Sequence, residues 1–427
     1  MFIYSYYVPT NRTLGENLTG FCEELKYSQE KYNIEIPFVL IDDQKESNNY
    51  SLLADKAKKY RDIKFFYFSN ERIKSIYDTI GKNLKLTTEF VKSFSALYPG
   101  SKPNYGNVFN RIFIIAILLG SDFIFRRDSD VHIQLLNGKY LFPIEIELKY
   151  LSKTVDNKTV YIVGGGYNGK WGIDIDCFIR EEDYSLVRDF FSCLLIPEEE
   201  HNEIIQMEIL NNRTFIEDQI IFNSAAYPDC GNCSYYNIFK YIPCSPSDYT
   251  IGTDYFLVEV GLNLGLNVGY HNRAVMHRYT SDRYESEEKL FNYWLGIAML
   301  IDLKVLYKNY YRGLRMIDFK INEKYDELNQ IVFKTLSKFE KEIDYYTEIR
   351  KEKLNNFSLL LEKVNNDSFK KISNYIRINI ENIIKHTDMN LHNHVNLIKI
   401  WRDIVGSIYK VRDSKEMQAV IFNSNIN

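Results

Sequence analysis

The chain has 427 residues, 45% of them hydrophobic and 26% charged, with 53 Lys and Arg against 57 Asp and Glu and a net charge of −4. That length allows two or three domains with ample core, and the composition is that of a globular protein. With a slightly acidic balance and no broad basic tract, nucleic acid is excluded as a main partner.

The first residues, Met1-Phe-Ile-Tyr-Ser-Tyr-Tyr-Val-Pro9, carry no basic stretch and no small-residue cleavage site, so they do not read as a signal peptide. The longest apolar run, Ile112 to Gly120, is too short to span a bilayer, and no transmembrane segment is expected. Six cysteines (Cys22, Cys177, Cys193, Cys230, Cys233, Cys244) in so long a chain do not make a disulfide framework. A reducing, cytoplasmic setting is the expectation. Cys230-Gly-Asn-Cys233 with Cys244 would begin a zinc site, but no fourth ligand is evident.

Residues 2–8 read as a strand, and a helix follows from about Leu14 to Tyr32. Ile36 to Asp43 is a second strand, Tyr50 to Tyr60 a helix, and Ile63 to Phe68 a third strand. Asn70 to Leu84 is a helix capped by Ser69 or Asn70. An apolar helical run from Val108 to Gly120 leads into a short buried strand, Asp122 to Phe125. Thr159 to Gly166 is a strand and Glu181 to Leu195 a helix, and Ile220, Ile221 and Ala225 form a helical pattern. From Glu285 onward the patterns are helical, across 287–306, 320–361, 368–385 and 392–411. Strand–helix alternation followed by helices alone predicts an α/β fold. It is a Rossmann-type mixed or parallel sheet flanked by helices, with an all-α module after it. The expected division is 1–282 for the catalytic domain and 283–427 for the helical module.

The strand after Val108–Gly120 runs into Arg126-Arg127-Asp128-Ser129-Asp130. Residues two apart share a face of an extended chain, so Asp128 and Asp130 are expected to point the same way at a strand's carboxyl end. Open α/β sheets bind ligands there. Two hard carboxylates at that spacing suit Mg²⁺ or Mn²⁺, with substrate phosphates completing the shell. A solvated turn is the plainer alternative. Arg126 and Arg127 would pair with these acids, reach a phosphate, or simply hold the loop.

In this context Asp128-Ser129-Asp130 resembles the Asp-X-Asp motif of nucleotide-sugar-dependent glycosyltransferases with the GT-A fold. The resemblance covers about 280 residues, at the level of pattern. It departs at Arg126 and Arg127, where that superfamily usually has apolar residues. It implies a metal-dependent transfer of a sugar from a nucleotide diphosphate sugar, UDP-sugar favoured, to an acceptor hydroxyl. A late histidine is a third metal ligand in some of these enzymes, which implies His277, with His271 in reserve. It also implies that the first loop, Pro9-Thr10-Asn11-Arg12, and the acids Asp42 and Asp43 hold base and ribose. Asp42-Asp43 is equally a turn signal. Asn107 and Arg111, one helical turn apart, would lie near the donor phosphates with Ser129, although a surface ion pair would explain Arg111 as well.

Gly164-Gly165-Gly166-Tyr167 has neither Walker nor Rossmann spacing. By the resemblance it lines donor sugar and acceptor, with Arg127 and with Trp171 as a stacking platform. A hairpin turn is the alternative. Glu217 and Asp218 precede the apolar run at Ile220 and gain from a helix N-terminus. By the resemblance Asp218, then Glu217, is the general base of an inverting enzyme, although Glu-Asp-Gln-Ile-Ile-Phe-Asn also suits a retaining one. Arg273 and Arg278 would contact the leaving diphosphate. The helical module would bind the acceptor (a glycan precursor, natural product or protein) or form a homodimer. Two other classes use the same residues. One is a homologue that binds sugar nucleotides without turnover. The other is a metal-dependent phosphohydrolase.

Overall fold

The computed structural model describes residues 3–44, 47–84, 87–100, 104–181, 183–210, 218–223, 228–278, 286–317 and 325–426. Aromatic and β-branched residues form β1 (Tyr4–Thr10), β2 (Phe38–Asp42) and β3 (Phe65–Ser69), followed in turn by helices Asn17–Tyr32, Asn49–Lys59 and Asn70–Asn83. β1 and β2 are buried almost throughout, because helices cover both faces of the sheet. β4 (Phe123–Arg127) follows helix Tyr105–Leu119, which is apolar nearly all round and buried to match. That helix stops at Gly120, whose φ of 82° is left-handed and favours a residue without Cβ.

β5 (Lys158–Gly169), β6 (Ile220–Phe222), β7 (Asn232–Tyr236) and β8 (Asn267–His277) continue the sheet in the order β6-β8-β5-β7-β4-β1-β2-β3, and two short strands, Val131–His132 and Thr154–Val155, pair with β8 and β5. β1 to β4 pair in parallel, and β8 is parallel to β5. β7 lies antiparallel between β4 and β5, so direction reverses twice and is restored. β1, β2, β4, β5 and β8 therefore end on one edge. Thr10, Asp42, Arg127, Gly169 and His277 are the last residues of those strands.

Helix Ile380–Val411 packs on helices Asn70–Asn83, Thr88–Ser95 and Tyr105–Leu119. Its buried Trp401 donates Nε1–H to the Phe239 carbonyl at 3.1 Å. One apolar cluster thus runs from the sheet (Val39, Ile124) into the late helices (Leu306, Trp401). A second cluster joins helix Ser185–Cys193 to helices Glu287–Arg315, Thr347–Glu362 and Asp367–Ile378 through Phe190, Trp294, Phe357 and Phe369.

Several expectations are corrected. Ile220–Phe222 is an edge strand, not the start of a helix: it pairs with β8, and Ile221 alternates outward at 54% exposure. Ala225 lies outside the described residues. The helical pattern across 320–361 is two helices, Tyr325–Glu340 and Thr347–Glu362. Leu328, Val332 and Leu336 enter the first cluster and Leu354, Phe357 and Leu361 the second, and one straight helix does not serve both. The break expected between residues 385 and 392 falls at Asn379 instead. Part of the polar run there is tied to a buried arginine: Arg350 binds Thr387 at 2.8 Å, Asp388 at 2.7 Å and Asp302 through both carboxylate oxygens.

Gly164 and Gly165 make room for protein rather than ligand. A Cβ on Gly164 would lie 2.6 Å from the Asn232 carbonyl oxygen, and one on Gly165 2.8 Å from that of Arg273. All six cysteines are free thiols. Burial pushes Cys233 up to about 12 and also raises Cys230 and Cys244, which disfavours the thiolates a zinc ion needs. Helix Glu287–Arg315 is long and apolar enough to cross a bilayer, but 78% of its most apolar stretch is buried inside the protein.

His394, wholly buried on helix Ile380–Val411, faces the Tyr307 hydroxyl at 2.8 Å and the Pro243 carbonyl at 3.2 Å. Burial pushes its pKa from 6.5 down to about 3. Below pH 6.5 the unfolded chain takes up a proton that the folded one refuses, so acid favours unfolding. At pH 5 this amounts to ~2 kcal/mol. His394→Gln removes the titration, and urea unfolding at pH 7 and pH 5 should show the acid loss reduced by ~2 kcal/mol. Equal losses in both proteins would place the acid sensitivity elsewhere.

Candidate functional site

Arg126 and Arg127 point to opposite faces of β4, as successive strand residues do. Arg127 has no exposed side-chain surface. It binds Glu147 through two bonds of 3.0 and 2.8 Å and Glu24 at 3.0 Å. Burial alone would raise the Glu147 pKa, but Arg127 and His271 outweigh it and hold the carboxyl below its ordinary value. Arg127, expected to line the donor sugar, is therefore a core ion pair out of reach of any ligand. His271 belongs to the same buried group, with Nε2 3.7 Å from Glu147.

Arg126 faces the other way. Its guanidinium lies over the Phe109 ring at 4.1 Å, 2.6 Å from Asp128 and 3.4 Å from Asp254. Burial pushes the Asp254 carboxyl up to about 6, against the pull of Arg126.

β4 ends at Arg127, and the next three residues form a turn closed by the Val131 N–H on the Asp128 carbonyl at 3.3 Å. The two carboxylates therefore do not share a strand face. Asp128 accepts from Arg126 and from the Tyr167 hydroxyl at 3.1 Å. Asp130 accepts from Arg12 at 3.2 Å, and its Oδ2 lies 3.6 Å from His277 Nε2. Tyr167 joins the halves, its ring stacked on His277 at 4.5 Å.

Gly231 is the residue that sequence reasoning missed. Its N–H donates to the Tyr167 oxygen at 3.1 Å, and its carbonyl accepts from the Asp128 N–H at 3.0 Å. A Cβ there would lie 2.1 Å from that tyrosine oxygen and 2.2 Å from an Asp128 oxygen. The signal was present in Cys230-Gly-Asn-Cys233, where the glycine and not the cysteines serves the site. Asp229 braces Tyr167 further, accepting its N–H at 3.0 Å and the Tyr255 hydroxyl at 2.7 Å.

The His277 Nδ1 lies 2.8 Å from the Lys170 carbonyl oxygen, so Nδ1 carries the proton. In the neutral ring the Nε2 lone pair then faces the Asp130 carboxylate. Two acceptors 3.6 Å apart repel unless a proton or a cation lies between them. A carboxylate and an imidazole oriented by a carbonyl are a donor pair of the kind Mn²⁺ takes. Among the described residues no cluster of three or more such side chains is already assembled, so phosphate or water would complete the shell.

Beside His277 opens a cavity of about 480 Å³, bounded by Lys170, Trp171, Ile173, Tyr184 and Arg278 among others. Trp171 is half-buried and meets Phe191 edge-on at 5.4 Å. Arg278 is exposed, and its N–H donates to the Asp130 carbonyl at 3.2 Å.

A family model described as a family of unknown function, DUF6271, matches residues 5–417. The chain belongs to that family. No curated protein sequence matches it. Among solved structures it is similar to one titled a mycobacterial protein, at 12% identity over 71% of this chain and 74% of that one, with a TM-score of 0.38. It is similar to mannosyl-3-phosphoglycerate synthase from Rubrobacter xylanophilus, at 12% identity over 75% and 79%, TM-score 0.38. It is similar also to the mannosyltransferase PcManGT from Pyrobaculum calidifontis in complex with GDP-Man and Mn²⁺, at 9% identity over 94% and 87%, TM-score 0.38. Likeness at these TM-scores is distant and settles nothing about activity.

The remaining candidates divide. Pro9 is buried in β1, and the Thr10 hydroxyl donates to the Arg12 carbonyl at 2.7 Å. Asn11 lies exposed beside Arg12. Asp42 is wholly buried and accepts from the Gln44 N–H, Asn49 and Tyr67, so its oxygens serve the turn. Asp43 pairs with buried Arg111, yet burial still raises its pKa. The Asn107 amide bonds the Ala96 carbonyl. The Ser129 carbonyl accepts from Asn17 at 2.6 Å. Arg273 holds both oxygens of Asp218, at 2.8 and 2.5 Å, and also binds Glu145. Both carboxylate oxygens of Asp218 are thus engaged. Glu217 lies outside the described residues.

Arg127→Met would leave Glu24 and Glu147 buried without a counter-charge. The expected loss is ~3–5 kcal/mol in urea unfolding. Unchanged stability with lost turnover would instead return Arg127 to the ligand.

Proposed function

We propose that this protein is a divalent-metal-dependent glycosyltransferase that uses a nucleotide sugar as donor. The observation that carries the proposal is the pairing of Asp130 and His277 across 3.6 Å at the carboxyl edge of the sheet, with the His277 Nε2 turned toward the carboxylate. Asp130 and His277 would hold the metal. Asp128 serves Arg126 and Tyr167, and so sets the position of the ring stacked on His277. When bound, Mn²⁺ or Mg²⁺ neutralises the diphosphate and stabilises the charge that develops as it leaves.

Arg12 shares Asp130, and Arg278 lies exposed at the cavity mouth, so both cations are placed to receive phosphate oxygens. The acceptor oxygen bonds to the anomeric carbon as that carbon's bond to the diphosphate breaks. The hydroxyl proton goes to a base. Asp218 serves only once Arg273 releases it, and this favours binding without turnover as the second reading.

The test is release of nucleoside diphosphate from a panel of UDP- and GDP-sugars, with and without Mn²⁺. One donor should be hydrolysed slowly, with at least a hundredfold loss in Asp130→Ala and in His277→Ala. Binding of a donor without release would favour the second reading. Neither binding nor release across the panel would defeat the proposal. Gly231→Ala displaces Tyr167 and Asp128, and should weaken Mn²⁺ activation by about 10- to 100-fold. Unchanged activation would remove Gly231 from the site.

A further inference from the structure

The cavity beside His277 is lined by two unlike sets of residues. One is polar: His277, Lys170 and Arg278, with Asp176 paired to Lys170. The other is aliphatic: Ile173, Ile175, Ile179 and Ile209. These side chains continue the second apolar cluster: Ile175 is 3% exposed and belongs with Phe178, Phe190 and Trp294. The wall is therefore fixed by packing. Its volume of about 480 Å³ is that of a small-molecule site.

We propose that this cavity takes an acceptor whose hydroxyl is carried on an apolar body, a short alkyl or aryl alcohol, rather than on a sugar chain. The inference rests on the glycosyltransferase proposal and names its acceptor class. A sugar chain offers a hydroxyl at nearly every carbon. Set against four isoleucines, those hydroxyls would give up water and gain no partner. An alkyl or aryl body gains from the same wall and needs one polar contact, which the polar lining residues supply. Arg278 is exposed and lines the same cavity, so its charge favours the donor's diphosphate. The donor would take the polar residues and the apolar body the aliphatic ones, with the acceptor hydroxyl between them.

The chain supplies its own reporter. Of its three tryptophans, Trp294 and Trp401 are at most 1% exposed, whereas Trp171 borders the cavity. The experiment titrates the full-length protein with 1-octanol, and separately with maltose, following tryptophan emission without donor or metal. Octanol should give a saturable change that is absent with maltose and absent in Trp171→Phe. Ile173→Asp should weaken octanol at least tenfold, while Ile173→Leu should bind as the parent does. If Ile173→Asp does not fold, Ile179→Asp takes its place, and the octanol–maltose comparison on the parent decides in either case. A saturable maltose response without an octanol response overturns the proposal. So does an octanol response unchanged by the aspartate. Octanol binding in a protein that releases no nucleoside diphosphate would defeat the donor reading and leave the apolar site standing. Release without octanol binding would do the reverse.

Discussion

Two neighbouring guanidiniums have to be neutralised inside this protein, and the site takes its shape from how that is done. Arg126 and Arg127 are the last residues of a central strand and are both buried. The alternation of a strand sends them to opposite faces. Arg127 goes to Glu24 and Glu147, which draws helix Asn17–Tyr32 and helix Pro143–Tyr150 onto one face of the sheet. Arg126 goes to Asp128 and Asp254 on the other face. A buried charge left alone is far more damaging than one that is paired, so each partner is held in place by the arginine it serves.

That division decides what becomes of the two aspartates. Asp128 is claimed by Arg126, which pulls the chain into a turn and separates it from Asp130. Asp130 faces Arg12 at 3.2 Å and His277 at 3.6 Å. The carboxylate that precedes the turn is held by Arg126, and the one that follows it lies beside His277. His277 comes to this place because β8 is parallel to β5 and ends beside Gly169. Its ring is then locked by the Lys170 carbonyl below and by Tyr167 stacked on it.

Most strands and helices of the first 130 residues were legible, helix Thr88–Ser95 excepted, because burial on two faces leaves unbroken apolar runs, and the turns between them carry Asp, Asn and Gly. Asp130 and His277 were legible as polar residues near strand ends. What stayed hidden lies wherever partners distant in sequence override a local pattern. Arg127 looks like a ligand-reaching cation until Glu24 and Glu147, 103 and 20 residues away, are seen to enclose it. Thr387 and Asp388 look like a loop until Arg350 is seen to bind both. Gly231 shows in the sequence only as the glycine of Cys230-Gly-Asn-Cys233, since its need arises from a tyrosine hydroxyl and a carboxylate that pack over it. Asp218 sits in an acidic pair at the head of an apolar run, but the arginine that holds it is 55 residues further on.

The same dependence on distant partners explains what the late helices do for the site. The segment from Trp171 to Arg180 forms one wall of the cavity and contains only a single short helical turn, Asp176–Phe178. Such a segment has little structure of its own to hold it. It is fastened from outside: the Asp174 N–H donates to the Tyr293 hydroxyl at 2.9 Å, Arg180 bonds the Lys363 carbonyl, and Phe178 packs edge-on against Trp294 at 5.4 Å. All three partners lie beyond residue 285. Helix Ser185–Cys193, directly after the wall, is fastened in the same way by Asp189 to Lys363 at 2.9 Å and by Phe190 to Phe357. The sheet therefore presents Asp130 and His277, while the helices hold the apolar wall at its distance from them. The width of the cavity, and with it the size of whatever body it accepts, is a property of the contact between the two parts.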